Sequence, residues 1–487
     1  MRKLAIIILL AFLSLQTFAK DYPASLFGIY SDGVTLNTRS IQYAIDYINK
    51  NGGGRLVFHV GRYLTGSLHL KSDVTIQLQE GAVLVGSLNP WDYDRKIFTA
   101  LIFAYDQKNI GITGQGVVDG QGRYVARNVV EMVHKGILKD GFRFDRPEAE
   151  SRPMLVNFRN CENVVIRGVT MKNSSSWVQT YDQCKNLTID IIRVDSKAYW
   201  NNDGIDIVDC DGATVTNSYI DSDDDGICLK SHDEKAACRN ILIRDNTIRS
   251  SANGIKFGTA TYGGFSNIKI FNNKVYDTYR SAITFAAVDG GFVENIVVDS
   301  LQAYNTGNVF FLRIGERVKD KKGRLEHVSI SNVYAEVPAT KPDEGYEYEG
   351  PVEDMPRNVS PASIVGMPDV LINDVTIKNV EIRHPGGASP MYAKIGLDEL
   401  DKVPEKATSY PDFSMFKELP AWGIYIRHAK DIKVSNLTMS CAKKDYRTAI
   451  VLDDVHDASF KALKITQPDN KKMIYAYKSS GVKEGEK

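Results

Sequence analysis

The chain has 487 residues, with 60 basic and 60 acidic side chains and no formal net charge at pH 7. Balanced charge supplies no global field toward nucleic acid or an anionic membrane, so any recognition of an acidic partner has to be local. The length allows two or three domains, but the repeats described below extend one domain along its own axis, and a single domain over residues 20–487 is expected.

Residues 1–19 read as an export signal. Arg2 and Lys3 precede an apolar run from Leu4 to Leu15, and Thr17-Phe18-Ala19 carries small residues at the cleavage-site spacing. A membrane anchor needs about 20 apolar residues. This run is shorter, no later stretch is long and apolar enough to span a bilayer, and no cysteine follows the run to be lipidated. The expected product therefore starts near Lys20 and is exported, either periplasmic or secreted, without membrane insertion.

Next, Thr38 to Asn51 carries Ile41, Ala44, Ile45 and Ile48 at helical spacing, and Gly52-Gly53-Gly54 ends the pattern. From Asn163 onward the chain repeats "Asn, apolar, any, apolar": Asn163-Val164-Val165-Ile166, Asn186-Leu187-Thr188-Ile189, Asn240-Ile241-Leu242-Ile243, Asn267-Ile268-Lys269-Ile270 and Asn295-Ile296-Val297-Val298. A degenerate copy, Gly212-Ala213-Thr214-Val215, fills the gap, and successive steps are 23, 26, 28, 27 and 28 residues. Short β-branched runs alternating in and out at this period fit strands that turn and return one coil higher. The fold class expected is all-β, a right-handed parallel β-helix whose exposed first coil is capped by the N-terminal helix.

Cys161, Cys184, Cys210 and Cys238 each stand two residues before the same point of the repeat. They should stack as a ladder of small buried side chains. Bridges between coils ~4.8 Å apart are geometrically feasible, but the free, packed ladder is the reading preferred. Val328-Ser329-Ile330-Ser331-Asn332, Val375-Thr376-Ile377-Lys378-Asn379 and Ile432-Lys433-Val434-Ser435-Asn436 carry the coils toward the C-terminus. Between them, Pro338 to Pro361 and Leu397 to Pro420 leave the stack as long loops, either as walls of a groove or as solvated excursions.

Two acidic clusters lie about one coil apart, Asn201-Asn202-Asp203-Gly204-Ile205-Asp206 and Ser222-Asp223-Asp224-Asp225-Gly226. Crowded carboxylates repel, so stacking them implies a use. Glycosidic cleavage is one, because one carboxyl protonates the leaving oxygen while another activates water. Counted from the repeat, Asp225, Asn253 and Arg280 each fall 13 residues after Gly212, Asn240 and Asn267, which predicts a vertical column. Asp203 falls 17 residues after Asn186, one coil from Asp224 and Asp225. Ile227, Leu229, Ile255 and Phe257 alternate inward, turning Lys256 outward. Asn and Asp also serve as ordinary turn residues forming polar ladders, which accounts for Asp195 and Asp211. Calcium is the next rival for clustered carboxylates, but no EF-hand spacing is present, and neither a metal nor any other cofactor is expected.

The first cluster resembles the Asn-Thr-Asp-Gly-Ile-Asp box of the polygalacturonase-type enzymes, glycoside hydrolase family 28. Asp224-Asp225-Gly226-Ile227-Cys228-Leu229-Lys230-Ser231 resembles that family's Asp-Asp box. Arg152-Pro153, Asn173-Ser174-Ser175-Ser176-Trp177 and Val117-Val118-Asp119-Gly120-Gln121-Gly122 are similar to its upstream segments. The resemblance implies a pectin-degrading hydrolase with Asp224 as general acid, and Asp203 and Asp225 holding and deprotonating the water. Two motifs depart from the family. Its Gly-His-Gly appears as Ala252-Asn253-Gly254, and its Arg-Ile-Lys falls near Ala282-Ile283-Thr284.

Asn201, Asn253, Lys256 and Arg280 are the expected substrate-binding residues, with the two cations as candidates to replace the missing grip on a uronate carboxylate. Exposed cations on such a face are also commonly just solvated. The expected activity is inverting hydrolysis of a galacturonate-containing pectic backbone, leaning to rhamnogalacturonan or its oligosaccharides, by a monomer. A polysaccharide lyase and a noncatalytic glycan-binding β-helix are the alternatives; a lyase base is commonly Arg or Lys, which favours the hydrolase.

Overall fold

The computed structural model describes residues 20–94, 99–141, 146–340, 345–347, 360–388, 395–467 and 473–485. The expected export signal at 1–19 and most of the Pro338 to Pro361 loop lie outside the described residues. Among the described residues no helix is long and apolar enough to cross a membrane.

The chain winds as a right-handed parallel β-helix with three strands to a coil. One coil is Gln179–Asp182, Lys185–Asp190 and Arg193–Ser196; the next is Ile205–Val208, Asp211–Thr216 and Tyr219–Ser222. Each strand pairs in parallel with its counterpart one coil on, so the molecule holds three stacked sheets around one apolar interior. The register follows the repeat: Val164, Leu187, Ala213, Ile241, Ile268 and Ile296 are successive partners. The spacing thus reproduces the coil length at every step.

The repeat asparagines stand at the corners for a physical reason. Asn163, Asn186, Asn240, Asn267 and Asn295 have φ between 53° and 56°, the left-handed region that Asn tolerates better than most side chains. Their amides bond along the stack, Asn186 Nδ2 to Asn163 Oδ1 at 3.1 Å and Asn163 Nδ2 to Asn109 Oδ1 at 2.9 Å. At the degenerate copy, Gly212 meets the same demand with φ +77°.

The capping helix, α1, spans Thr38–Lys50 and buries Ile41, Ala44, Ile45 and Ile48 against the first coils. A second helix, α2, spans Gly122–His134 and was not foreseen from sequence. It buries Val125, Ala126 and Val129 where the expected turn at Val117 to Gly122 leads into the next coil. The cysteines form the ladder. All six are free and buried, and Cys184 N donates to Cys210 Sγ at 3.3 Å.

The 397–420 segment is not a solvated excursion. Leu400, Val403, Phe413, Phe416 and Leu419 form a second apolar cluster with Phe311, Val365, Tyr425 and Val451. Phe311, Tyr425 and Val451 point away from the main interior on the sheet that follows the acidic coils. The segment therefore lies over that sheet as a wall.

Candidate active site

Each acidic turn joins the third strand of one coil to the first strand of the next. Gly204 N donates to Asp225 O at 2.9 Å, Gly226 N to Asn253 O at 2.8 Å and Gly254 N to Ser281 O at 3.0 Å. These bonds and the neighbouring register, Ile205 to Ile227 to Ile255 to Ile283, stack Asp203, Asp225, Asn253 and Ser281 in one column. Carboxylate oxygens of Asp203 and Asp225 and the Cys228 thiol converge within 4.8 Å of one another. The expected column of Asp225, Asn253 and Arg280 needs one correction. Ser281 takes the last rung, and Arg280 stands one residue earlier, its N–H donating to Ala252 O at 2.7 Å. The bend between Thr278 and Ser281 shifts the register there, and a fixed count from Asn267 cannot see that shift.

The first turn is held from below. Arg152 is fully buried and donates to Ser175 O and Trp200 O, both at 2.6 Å, and to Asn201 Oδ1 at 2.8 Å. Asn202 Oδ1 accepts from Ser196 Oγ at 2.7 Å and Ala198 N at 3.1 Å, while its amide donates to Ser176 O. The Arg152-Pro153 and Ser175-Ser176 segments thus act as scaffolding that aims Asp203. Asn201, expected to bind substrate, is engaged by Arg152.

The second turn carries Asp224, half-buried, with φ +150°, a conformation that L side chains rarely adopt. Such a backbone costs about 1–3 kcal/mol and persists where the surroundings over-determine it, as they do at functional sites. Here Asp224 Oδ1 accepts from Asp225 N at 2.9 Å, and Asp224 O accepts from Ser222 and Ser250 hydroxyls.

Asp225 is surrounded by donors. Asn253 donates to its Oδ1 from both N at 3.0 Å and Nδ2 at 2.7 Å, and Lys256 Nζ reaches Oδ2 at 2.7 Å. Burial pushes this carboxyl up, but Lys256, Arg280 and the hydrogen bonds outweigh it and hold it below the usual carboxylate range. Burial likewise opposes the Lys256 charge, and Asp225 overrides it to hold the ammonium well above its usual value. Lys256 therefore points away from the interior, as alternation predicts, but at 2% exposure it is buried within the acid cluster. Thr284, in the segment near which the family's Arg-Ile-Lys would fall, donates its hydroxyl to Asn253 Oδ1 at 2.8 Å. The two departures from the family pattern are thus bonded to each other, and Asn253 carries the contact on to Asp225.

Four participants escaped the sequence reading. Lys230 Nζ contacts Asp203 Oδ2 at 2.9 Å and Asp206 Oδ1, and lies 4.6 Å from the Trp177 ring centroid. One ammonium shared by two carboxylates neutralises only one of them. Burial pushes the Asp206 carboxyl up to about 8, with Lys230 opposing and Asp203 adding to the rise. Asp206 and Lys230 both stood in the quoted boxes, and alternation with buried Ile205, Ile207, Ile227 and Leu229 already placed them outward. Tyr410 and Asp412, by contrast, come from the wall. Lys256 Nζ donates to the Tyr410 hydroxyl at 2.7 Å, and Arg280 Nε lies 2.9 Å from Asp412 Oδ2. No local signal in the sequence points to either.

The convergence of Asp203, Asp225 and Cys228 invites a metal, but it fits one poorly. Each carboxylate already receives an ammonium, and a thiol is a soft ligand beside hard carboxylates. What the arrangement does offer is an acceptor. Asp203 Oδ1 is buried with no hydrogen-bond partner.

Among proteins of known sequence, the family model described as Glycosyl hydrolases family 28 matches residues 57–284. The chain is 25% identical over 434 residues to an exo-poly-alpha-D-galacturonosidase of Dickeya chrysanthemi, covering 75% of this chain and 71% of that one. Two solved structures share the fold. The exopolygalacturonase of Thermotoga maritima aligns with a TM-score of 0.60 at 24% identity, covering 75% of this chain and 87% of that one. The family 28 exopolygalacturonase of Yersinia enterocolitica aligns with a TM-score of 0.62 at 20% identity, covering 95% and 78%.

Proposed function

Because the chain belongs to the glycosyl hydrolases of family 28 and is a glycoside hydrolase, we propose that it cleaves a galacturonate-containing pectic backbone with inversion, using Asp203, Asp224 and Asp225. The observation that carries this reading is the stacking of Asp203 on Asp225 beside the strained Asp224 turn.

The three carboxyls differ in surroundings, and the roles follow. Asp225 has both oxygens occupied by Asn253 and Lys256, so it stays ionised and holds the water rather than taking its proton. Asp203 Oδ1 is the acceptor without a protein partner and serves as the base. Asp224, the half-buried member, is the acid that protonates the leaving oxygen. In an inverting site a water fits between acid and base, which requires a carboxyl separation of ~6.5–9.5 Å. No step calls for a metal or other cofactor.

The substrate reading rests on Asn253 and on Ala282 to Thr284. Without the family's paired cations near Ala282 and Thr284, a chain with a carboxylate on every ring is poorly met, and a neutral sugar beside the scissile bond is tolerated. That describes rhamnogalacturonan or its fragments, and the wall from 397 to 420 favours short oligosaccharides over long polymers. Lys256, held by Asp225, acts on the catalytic carboxylate in this reading. The enzyme acts as an exported, single-domain monomer. Product analysis on homogalacturonan, rhamnogalacturonan and their oligosaccharides tests it. New reducing ends without an unsaturated product are expected, released fastest from rhamnogalacturonan fragments. An unsaturated product would instead establish a lyase, and faster cleavage of long homogalacturonan would overturn the substrate preference.

A further inference from the structure

Arg280 is the cation of this site nearest to being available to a substrate, and the protein has already given it a carboxylate. Burial opposes its charge, and Asp412 and Tyr410, followed by Asp225 and Asp224 two coils away, outweigh burial and hold it above its usual value. Its Nε lies 2.9 Å from Asp412 Oδ2, with both side chains less than one-fifth exposed, an ion pair by proximity in which neither of these two atoms is aligned for a hydrogen bond. The Tyr410 ring covers the guanidinium at 5.7 Å and the Lys256 ammonium at 5.0 Å.

Asp412 is not a loose surface acid that happens to reach across. Its Oδ1 accepts from Ser414 N at 3.0 Å and Ser414 Oγ at 2.6 Å, which fixes the carboxylate in place. The next residue, Phe413, is buried in the wall's own apolar cluster with Phe416 and Leu419. Folding of that cluster brings Asp412 to Arg280 from 132 positions away in the chain.

A uronate carboxylate approaching Arg280 has to displace a partner that is already paid for by folding, and meets like charge as it does so. A sugar bearing only hydroxyls meets no such competition. We propose that Asp412 is a specificity-determining residue that stands in for a substrate carboxylate at Arg280, excluding a uronate from the sugar position bordering that guanidinium and admitting a neutral sugar there. This rests on the hydrolase reading above and supplies a cause for the substrate preference that the absent family cations alone do not.

The test compares an oligogalacturonate with its methyl-esterified form, which lacks the carboxylate charge and carries an added methyl group, in wild type and Asp412→Asn. Asparagine retains an oxygen for Ser414 and preserves the shape, while removing the charge that occupies Arg280. Wild type should prefer the esterified substrate. In Asp412→Asn the ratio of kcat/KM should shift toward the free oligogalacturonate by roughly 10-fold or more, the scale of one charge-assisted contact. Adding Arg280→Gln to Asp412→Asn should abolish that shift, which separates release of the guanidinium from a general loosening of the wall. Should Asp412→Asn misfold, Tyr410→Phe with Asp412→Ser offers a second route to the same ratio. An unchanged ratio in a folded, active Asp412→Asn overturns the role of Asp412 and leaves the hydrolase reading standing. A wild type that hydrolyses neither these substrates nor rhamnogalacturonan fragments takes down both.

Discussion

Replacing Lys256 by methionine should damage stability and turnover rather than substrate affinity. Lys256 Nζ and Asp225 Oδ2 are 2.7 Å apart, and each side chain is 2% exposed. Removing one partner of such a pair typically costs about 3–5 kcal/mol, because the remaining charge stays buried without its counter-ion. Asn253 and Arg280 still face Asp225, so the lower end of that range, about 3 kcal/mol, is expected. The pH dependence follows from the two shifts. Asp225 has a depressed folded pKa, so its contribution is complete above the unfolded carboxylate range and lost as pH falls through the folded value. Lys256 has a raised one, so its contribution is complete below the unfolded ammonium value and lost only as pH rises through the folded value. Between these limits the pair is intact. In Lys256→Met the Asp225 carboxyl rises. The stability deficit should therefore be largest near neutrality and narrow on acidification, and the acid limb of the turnover profile should move to higher pH. Denaturation midpoints followed by circular dichroism at neutral and acidic pH, together with kcat and KM profiles, measure this. Adding Asp225→Asn should recover part of the lost stability. A Lys256→Met enzyme with the wild-type midpoint and turnover, and only a raised KM, would refute the reasoning and return Lys256 to the substrate groove.

Asp203→Asn, Asp224→Asn and Asp225→Asn should each lower turnover by ~10²- to 10⁴-fold with the β-helix intact; wild-type-like turnover in a folded Asp224→Asn would remove it from the acid role. The product should carry inverted anomeric configuration by NMR, and activity should survive chelation, so retention, or loss that calcium restores, would contradict the mechanism. Asp206, pushed up to about 8 chiefly by burial, keeps a proton that the unfolded chain gives up. Wild-type stability should consequently fall as pH rises from about 4 to 8, and Asp206→Asn should flatten that decline in denaturation midpoints. Finally, the six free cysteines should react with a thiol reagent only on unfolding, and equally with and without prior reductant. Fewer thiols without reductant would mean that the ladder is bridged.

The repeat was legible because a parallel β-helix writes its geometry locally. Each corner needs a residue that accepts positive φ, and each strand needs alternating apolar side chains, so the Asn-apolar-any-apolar pattern fixed coil length, register and the cysteine ladder together. The acidic boxes were legible for the same reason, since register alone carries Asp203 onto Asp225. Arg280 marks where counting fails: the irregularity between Thr278 and Ser281 moves it off the column by one residue, and no local pattern announces it. The partners of the cations were beyond reach altogether. Lys256 and Arg280 looked like exposed groups awaiting a substrate until the 397–420 wall, anchored by Phe413, Phe416 and Leu419, delivered Tyr410 and Asp412 to them. Sequence determines which side chains face outward from each coil. Only the packing of a distant segment decides which of those charges remain open to solvent, because burial and pairing depend on contacts between residues that the chain separates by more than a hundred positions.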